Sequence, residues 1–115
     1  MTTMSTDADI VATLDLEPAV EVLRLLADPT RLALLMQLDG GERSVSALSA
    51  ALGRPVPAVS QHLARLRAGH LVSTRREGTT VFYRQANEHV AALVSNVLQQ
   101  AEHVRHPNDP PHHQG

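Results

Sequence analysis

The sequence predicts a mostly α-helical domain with one small β-hairpin set between its fourth and fifth helices. Three observations predict it. Apolar residues recur at helical spacing in four short segments between Pro18 and Arg67, and Asp-Pro and Gly-containing turns separate them. After Leu71 the apolar period drops from about 3.6 to about 2, over two runs that flank Gly78. From Glu88 the helical period returns and lasts to Val104 or His106.

In chain order, Val22, Leu25 and Leu26 mark a first helix from Pro18 to Ala27. Asp28-Pro29 ends it and starts the next, because Asp caps a helix well and Pro suits the first helical position. The second helix spans Thr30 to Leu38, with Leu32, Leu35 and Met36 as its expected core face, before the turn Asp39-Gly40-Gly41. The third runs from Ser44 to Leu52 and buries Val45, Leu48 and Leu52, with Gly53 as its terminating glycine. After a turn at Arg54-Pro55-Val56, Pro57 opens a fourth helix to Arg67 that turns Val59, Leu63 and Leu66 inward, and Gly69 is expected to close it. Helix, tight turn and helix make a helix-turn-helix. Val72–Glu77 and Thr80–Arg84 form the hairpin about Gly78. The fifth helix carries a wide apolar stripe of Val90, Leu93, Val94, Val97, Leu98, Ala101 and Val104, and Pro107, Pro110 and Pro111 end it.

A chain of 115 residues is one small domain, or one domain with tails. The expected division is a disordered segment 1–9, a folded unit 10–106 and a flexible His- and Pro-rich tail 107–115. Hydrophobic residues make up 43%, enough for a core, but at this length the core is thin and dimerisation would strengthen it. With no Cys there are no disulfides, zinc fingers, iron–sulfur sites or thiol chemistry. The only aromatic residues are Phe82 and Tyr83, which argues against a single-strand stacking platform. No apolar run approaches a membrane span, and Met1 to Asp9 lack the pattern of a signal peptide. The expectation is a soluble cytoplasmic protein.

The net charge of −2 conceals an uneven distribution. Residues 1–53 hold eight acids and three Arg, and residues 85–115 hold three acids and one Arg. Between them, residues 54–84 hold six Arg and only Glu77, a net +5. So concentrated a positive segment in an acidic chain is a candidate footprint for a polyanion. It coincides with the fourth helix and the hairpin, and the whole order of elements is that of a winged helix. On the fourth helix Val59, Leu63 and Leu66 lie within about 60° of one another. Pro57, Ala58, Gln61, Ala64 and Arg65 fall opposite, with Ser60 at the flank and His62 nearer the buried edge. A small, polar face suits the major groove, where Gln can pair with adenine and Arg with guanine. Arg75, Arg76, Thr79 and Thr80 of the hairpin are candidates for phosphate or minor-groove contact. The expected partner is double-stranded DNA.

At these positions the chain resembles a known family. Leu26-Ala27-Asp28-Pro29-Thr30-Arg31-Leu32, Pro57-Ala58-Val59-Ser60-Gln61-His62-Leu63-Ala64-Arg65-Leu66, and Arg76-Glu77-Gly78 with Val81-Phe82-Tyr83-Arg84 are similar to segments of the ArsR/SmtB metal-sensing repressors. The resemblance covers about residues 18–106. It implies a winged helix-turn-helix homodimer on an inverted repeat in a promoter, with the first and last helices at the dimer interface. It also implies Ser60, Gln61 and His62 as DNA contacts. Val94, Val97 and Leu98 are the expected interface residues on the last helix.

Five of the seven His fall in the last 27 residues: His89, His103, His106, His112 and His113. Imidazole suits Zn, Ni, Co and Cu. His89 and His103 are 14 residues apart. At helical geometry that is about 40° short of four turns, so they share a face, and about 21 Å along the axis. One ion cannot bind both on one helix. Against an antiparallel dimer mate, His89 of one chain can approach His103 of the other, which suggests two symmetric sites between subunits. The family's last-helix site usually has Asp where this chain has Asn87, and His where it has Gln100. Glu88-His89, Glu102-His103 and a later His pair more closely resemble the nickel- and cobalt-responsive actinobacterial sensors, in which tail histidines complete the site. Glu102, His103, His106, His112 and His113 would then act with His89, and a larger N/O donor set favours Ni(II) or Co(II) over tetrahedral Zn(II). Ser44-Val45-Ser46-Ala47 stands where thiolate-using relatives place Cys.

These readings converge on a metal-responsive transcriptional regulator, for Ni(II) or Co(II) and next for Zn(II), acting as a homodimer. One rival is a winged-helix regulator that has lost metal sensing and acts constitutively or with a partner protein. A rival of another class is a metal-buffering or metal-delivery protein, which the +5 segment opposes. No nucleophile–base pair or Gly-rich phosphate loop points to an enzyme or a small-molecule substrate.

Overall fold

The computed structural model describes residues 14–107. The segment 1–9 lies outside the described residues, as do His112, His113 and all of the expected tail beyond Pro107. The elements are α1 (Glu17–Leu26), α2 (Pro29–Gln37), β1 (Arg43–Ser44), α3 (Val45–Leu52), α4 (Val56–Ala68), β2 (Val72–Glu77), β3 (Thr80–Gln85) and α5 (Glu88–Arg105).

Local chemistry explains where the helices begin and end. The Asp28 side chain accepts the Arg31 backbone N–H and caps α2, with Pro29 behind it. Ser44 caps α3 through Ala47 N–H. Gly53 ends α3 at φ 64°, the left-handed position, and the Gly53 and Arg54 N–H groups return to the Ala50 and Ser49 carbonyls. Gly69 is the C-cap of α4, as expected, and the left-handed residue after it is His70, at φ 64°. His70 N–H bonds to the Arg67 carbonyl and Leu71 N–H to the Leu66 carbonyl, the paired bonds of a Schellman motif. Gly69 also serves packing, because a Cβ there would run into the Leu25 side chain.

The sheet has three strands, not two. All pairings are antiparallel in the order β1-β3-β2, with Arg43 opposite Tyr83, and Val72 through Glu77 opposite Gln85 through Thr80. Two residues are too few to show an alternating period, which is why β1 escapes the sequence pattern. Gly78, at φ 63°, makes the hairpin turn.

One core joins all the helices to the base of the hairpin: Leu25, Leu26, Leu34, Leu35, Leu38, Leu48, Val59, Leu63, Leu66, Leu71, Val72, Val90 and Val94. The buried stripe of α2 and its C-cap is Leu34, Leu35 and Leu38, with Leu35 and Leu34 three and four residues before Leu38. Met36, expected inside, is 47% exposed, and Leu32 is half-buried. Gln85 fixes the sheet to this helix by donating from Nε2 to the Leu35 carbonyl at 2.9 Å.

Candidate nucleic-acid interface and metal-ligand surface

The buried face of α4 is Val59, Leu63 and Leu66, each fully inaccessible. Their burial sets the rotation of the helix and leaves Pro57, Gln61, Ala64 and Arg65 exposed, with Ala58 and Ser60 half-buried at the flanks. The surface expected to face the major groove is therefore presented outward as one strip.

His62 sits at the edge of that strip, half-buried. Its Nδ1 lies 3.4 Å from an Arg31 guanidinium nitrogen and 3.9 Å from Asp28 Oδ1. Arg31 has a side chain only 11% exposed and donates Nε to the Leu25 carbonyl at 2.8 Å and Nη2 to the Arg24 carbonyl at 3.1 Å. One guanidinium thus joins the end of α1 to α4. The Arg31 N–H, given to Asp28, is the main influence holding the Asp28 carboxyl below the usual carboxylate range, and the Arg31 charge adds to it.

On the hairpin, Arg76, Thr79 and Thr80 are exposed. Arg75 is engaged. It donates Nε to both Glu42 carboxylate oxygens at 3.1 and 3.0 Å, Nη2 to Glu42 Oε1 at 2.9 Å, and Nη1 to Glu77 Oε1 at 2.7 Å. Its guanidinium carbon also stands 4.9 Å from the centre of the Phe82 ring. The hydrogen bonds from Arg75 hold the Glu42 carboxyl below its ordinary value, and those same bonds raise the Arg75 pKa. Glu42 carries no signal in the sequence, since its partner is 33 residues away.

On α5, Val94 is buried in the core of its own chain. Its burial follows from i, i+4 spacing with Val90, which puts both against the helices beneath. Beyond it the stripe emerges: Val97 and Leu98 are each 36% exposed and Val104 is 67% exposed. Leu14, Leu16 and Leu23, on and just before α1, are also exposed. His89 and His103 are exposed near the two ends of α5. His106 Nε2 lies 3.5 Å from Glu102 Oε2. Asn87 caps the helix: its Oδ1 accepts His89 N–H at 3.0 Å and Val90 N–H at 3.3 Å. Among the described residues no three His, Asp or Glu side chains of one chain gather into a metal-sized cluster. No helix among them is long and apolar enough to cross a membrane.

Comparison with known proteins agrees with this geometry. Residues 28–74 match the model of the bacterial regulatory protein, arsR family. The chain is 53% identical over 94 residues to the HTH-type transcriptional regulator KmtR of Mycobacterium tuberculosis, covering 82% of this chain and 72% of that protein. It is 37% identical over 106 residues to the HTH-type transcriptional regulator NmtR of the same organism, covering 84% and 88%. Among solved structures, the homodimeric winged helix-turn-helix DNA-binding domain Mb0332 of Mycobacterium bovis superposes with a TM-score of 0.71 or better in two determinations; the solution structure gives 0.73 at 37% identity and covers 87% of this chain and 89% of that one. With its fold, its outward α4 strip and these relatives, the chain belongs to the ArsR family of bacterial regulatory proteins, which are DNA-binding transcriptional regulators and not enzymes.

Proposed function

We propose that the chain is a homodimeric, metal-responsive regulator of transcription that reads an inverted repeat, with Ni(II) or Co(II) as effector and Zn(II) next in order. The observation that carries the proposal is the second half of α5. Its apolar stripe surfaces at Val97, Leu98 and Val104, and exposed His89 and His103 stand near the two ends of the same helix. A partner helix that covers the stripe in the antiparallel sense brings each His89 toward the other chain's His103.

The donors fit a divalent transition metal. His89, His103, Glu102 and His106 would hold it, joined by His112 and His113 from beyond the described residues, and imidazole with carboxylate suits Ni(II), Co(II) and Zn(II). A bound ion supplies a crosslink between the two last helices. The chain's own residues do the rest. Gln61 and Arg65 of α4 contact base edges, and Pro57, Ala58 and Ser60 admit the helix to the groove. Arg76, Thr79 and Thr80 meet the backbone at the hairpin, and His62 stays at the edge of the strip, held by Arg31. The spacing between the two α4 strips of a dimer decides whether both fit successive major grooves, so constraint at α5 changes DNA affinity.

The test mixes His89→Ala chains with His103→Ala chains and titrates nickel. Each variant alone should lose tight binding, and the mixed dimer should recover about one site, because one pair of intact ligands then meets across the interface. No recovery would overturn the intersubunit arrangement. Asn87 favours a second reading. Its side-chain oxygen is committed to the cap of α5, so the first half of the site lacks a carboxylate there. If neither nickel, cobalt nor zinc binds the wild-type dimer, the chain is a regulator without metal sensing.

A further inference from the structure

We infer that Glu42 and Arg75 form a strap that sets the position of the hairpin, so that Arg75 is a positioning residue and Arg76 is the arginine that meets DNA. The inference rests on the reading of the hairpin as a DNA contact. Strand alternation puts Ser73, Arg75 and Glu77 on one face of β2 and Arg76 on the other. Across the sheet, Phe82 is opposite both Arg75 and Ser44, so the Arg75 side chain crosses the central strand to reach Glu42 beside β1. It passes over the Phe82 ring on the way. All three guanidinium nitrogens of Arg75 are bonded to carboxylates, two to Glu42 and one to Glu77.

This arrangement takes Arg75 out of the long-range field. One cation between two carboxylates presents a local charge of about −1, which does not attract phosphate. What the bonds do is tie β2, the outer strand of the hairpin, to the segment that leads into α3. Arg84 has a separate engagement on the same face, donating Nε to Ser73 Oγ at 3.0 Å. Arg76, exposed on the opposite face, makes no such bond to Glu42 or Glu77. The pattern Arg75-Arg76 in the sequence suggested two equivalent contacts; the pleat assigns them different tasks.

The experiment measures DNA affinity against salt for the full chain, on a duplex of about 30 base pairs selected by the wild type from a randomised pool, long enough for two half-sites. Glu42→Gln and Arg75→Ala should each weaken binding by about two- to fivefold, the scale of one surface ion pair. The double variant should be no weaker than either single one, and the salt slope should stay as in the wild type. Arg75→Lys should behave like Arg75→Ala, because an ammonium cannot make the forked bond to Glu42. Arg76→Ala should flatten the log–log salt slope by about 1.8 for the two hairpins of a dimer. The strap is overturned if Arg75→Ala flattens the slope as Arg76→Ala does, if Arg75→Lys binds like the wild type, or if Glu42→Gln tightens binding. If Arg76→Ala changes neither affinity nor slope, the hairpin does not contact DNA, and both readings fall.

Discussion

Arg31 of α2 stands 3.4 Å from Nδ1 of His62 on α4 while it bonds to two backbone carbonyls at the end of α1. The same side chain therefore closes off α1 and steadies α4. Its charge, held beside buried surface, makes these bonds stronger than neutral ones. Arg31→Met keeps the bulk and removes the donors. It should lower the free energy of unfolding by about 1–3 kcal/mol, measured by urea denaturation at fixed protein concentration. A loss below about 0.5 kcal/mol would show that these bonds contribute little beyond ordinary surface contacts.

Asp28 gives a prediction in pH. Its folded carboxyl is held below the usual range by the Arg31 N–H, so the stabilisation is present above the ordinary Asp value and is lost as pH falls through the depressed folded value. Asp28→Asn retains a cap without a titrating group, and its stability should be flatter than the wild type's in that acid window. Asp28→Ala loses the cap at every pH and should cost about 1 kcal/mol. Thermal melts from pH 7 to pH 2 check both; a wild type and Asp28→Asn with parallel curves would contradict the assignment.

The exposed half of α5 predicts dimerisation without metal. Val97 is 36% exposed in the single chain, so Val97→Asp can be accommodated by a folded monomer, whereas Val94→Asp would put a charge into the core. Light scattering at micromolar concentration should show a wild-type dimer and a folded Val97→Asp monomer, with folding confirmed by circular dichroism. A dimer that survives Val97→Asp would place the interface elsewhere.

Most of the fold was legible because its signals are local. Asp28-Pro29, Gly53 and Gly78 each fix a boundary through their own backbone chemistry, and the inward face of α4 follows from the spacing of Val59, Leu63 and Leu66. Signals that depend on tertiary neighbours were not legible. Two residues of β1 carry no period. Gly69 was legible as the end of α4, but nothing nearby in sequence reveals Leu25 against it. Met36 and Leu34 are both apolar, and only the placement of the neighbouring helices decides which one turns inward. At the candidate site, exposure of Gln61 and Arg65 followed from the α4 stripe. The engagement of Arg75 did not, since Glu42 is distant in the chain.

Coupling between metal binding and DNA binding is measured by the affinity of the wild-type dimer for its selected duplex with and without saturating Ni(II). Nickel should change DNA affinity by about 5- to 150-fold, with nickel affinity altered by the same factor when DNA is bound, and should cause no such change in His89→Ala, whose metal-free DNA affinity should match the wild type. A DNA affinity that stays the same while nickel is demonstrably bound would contradict that coupling.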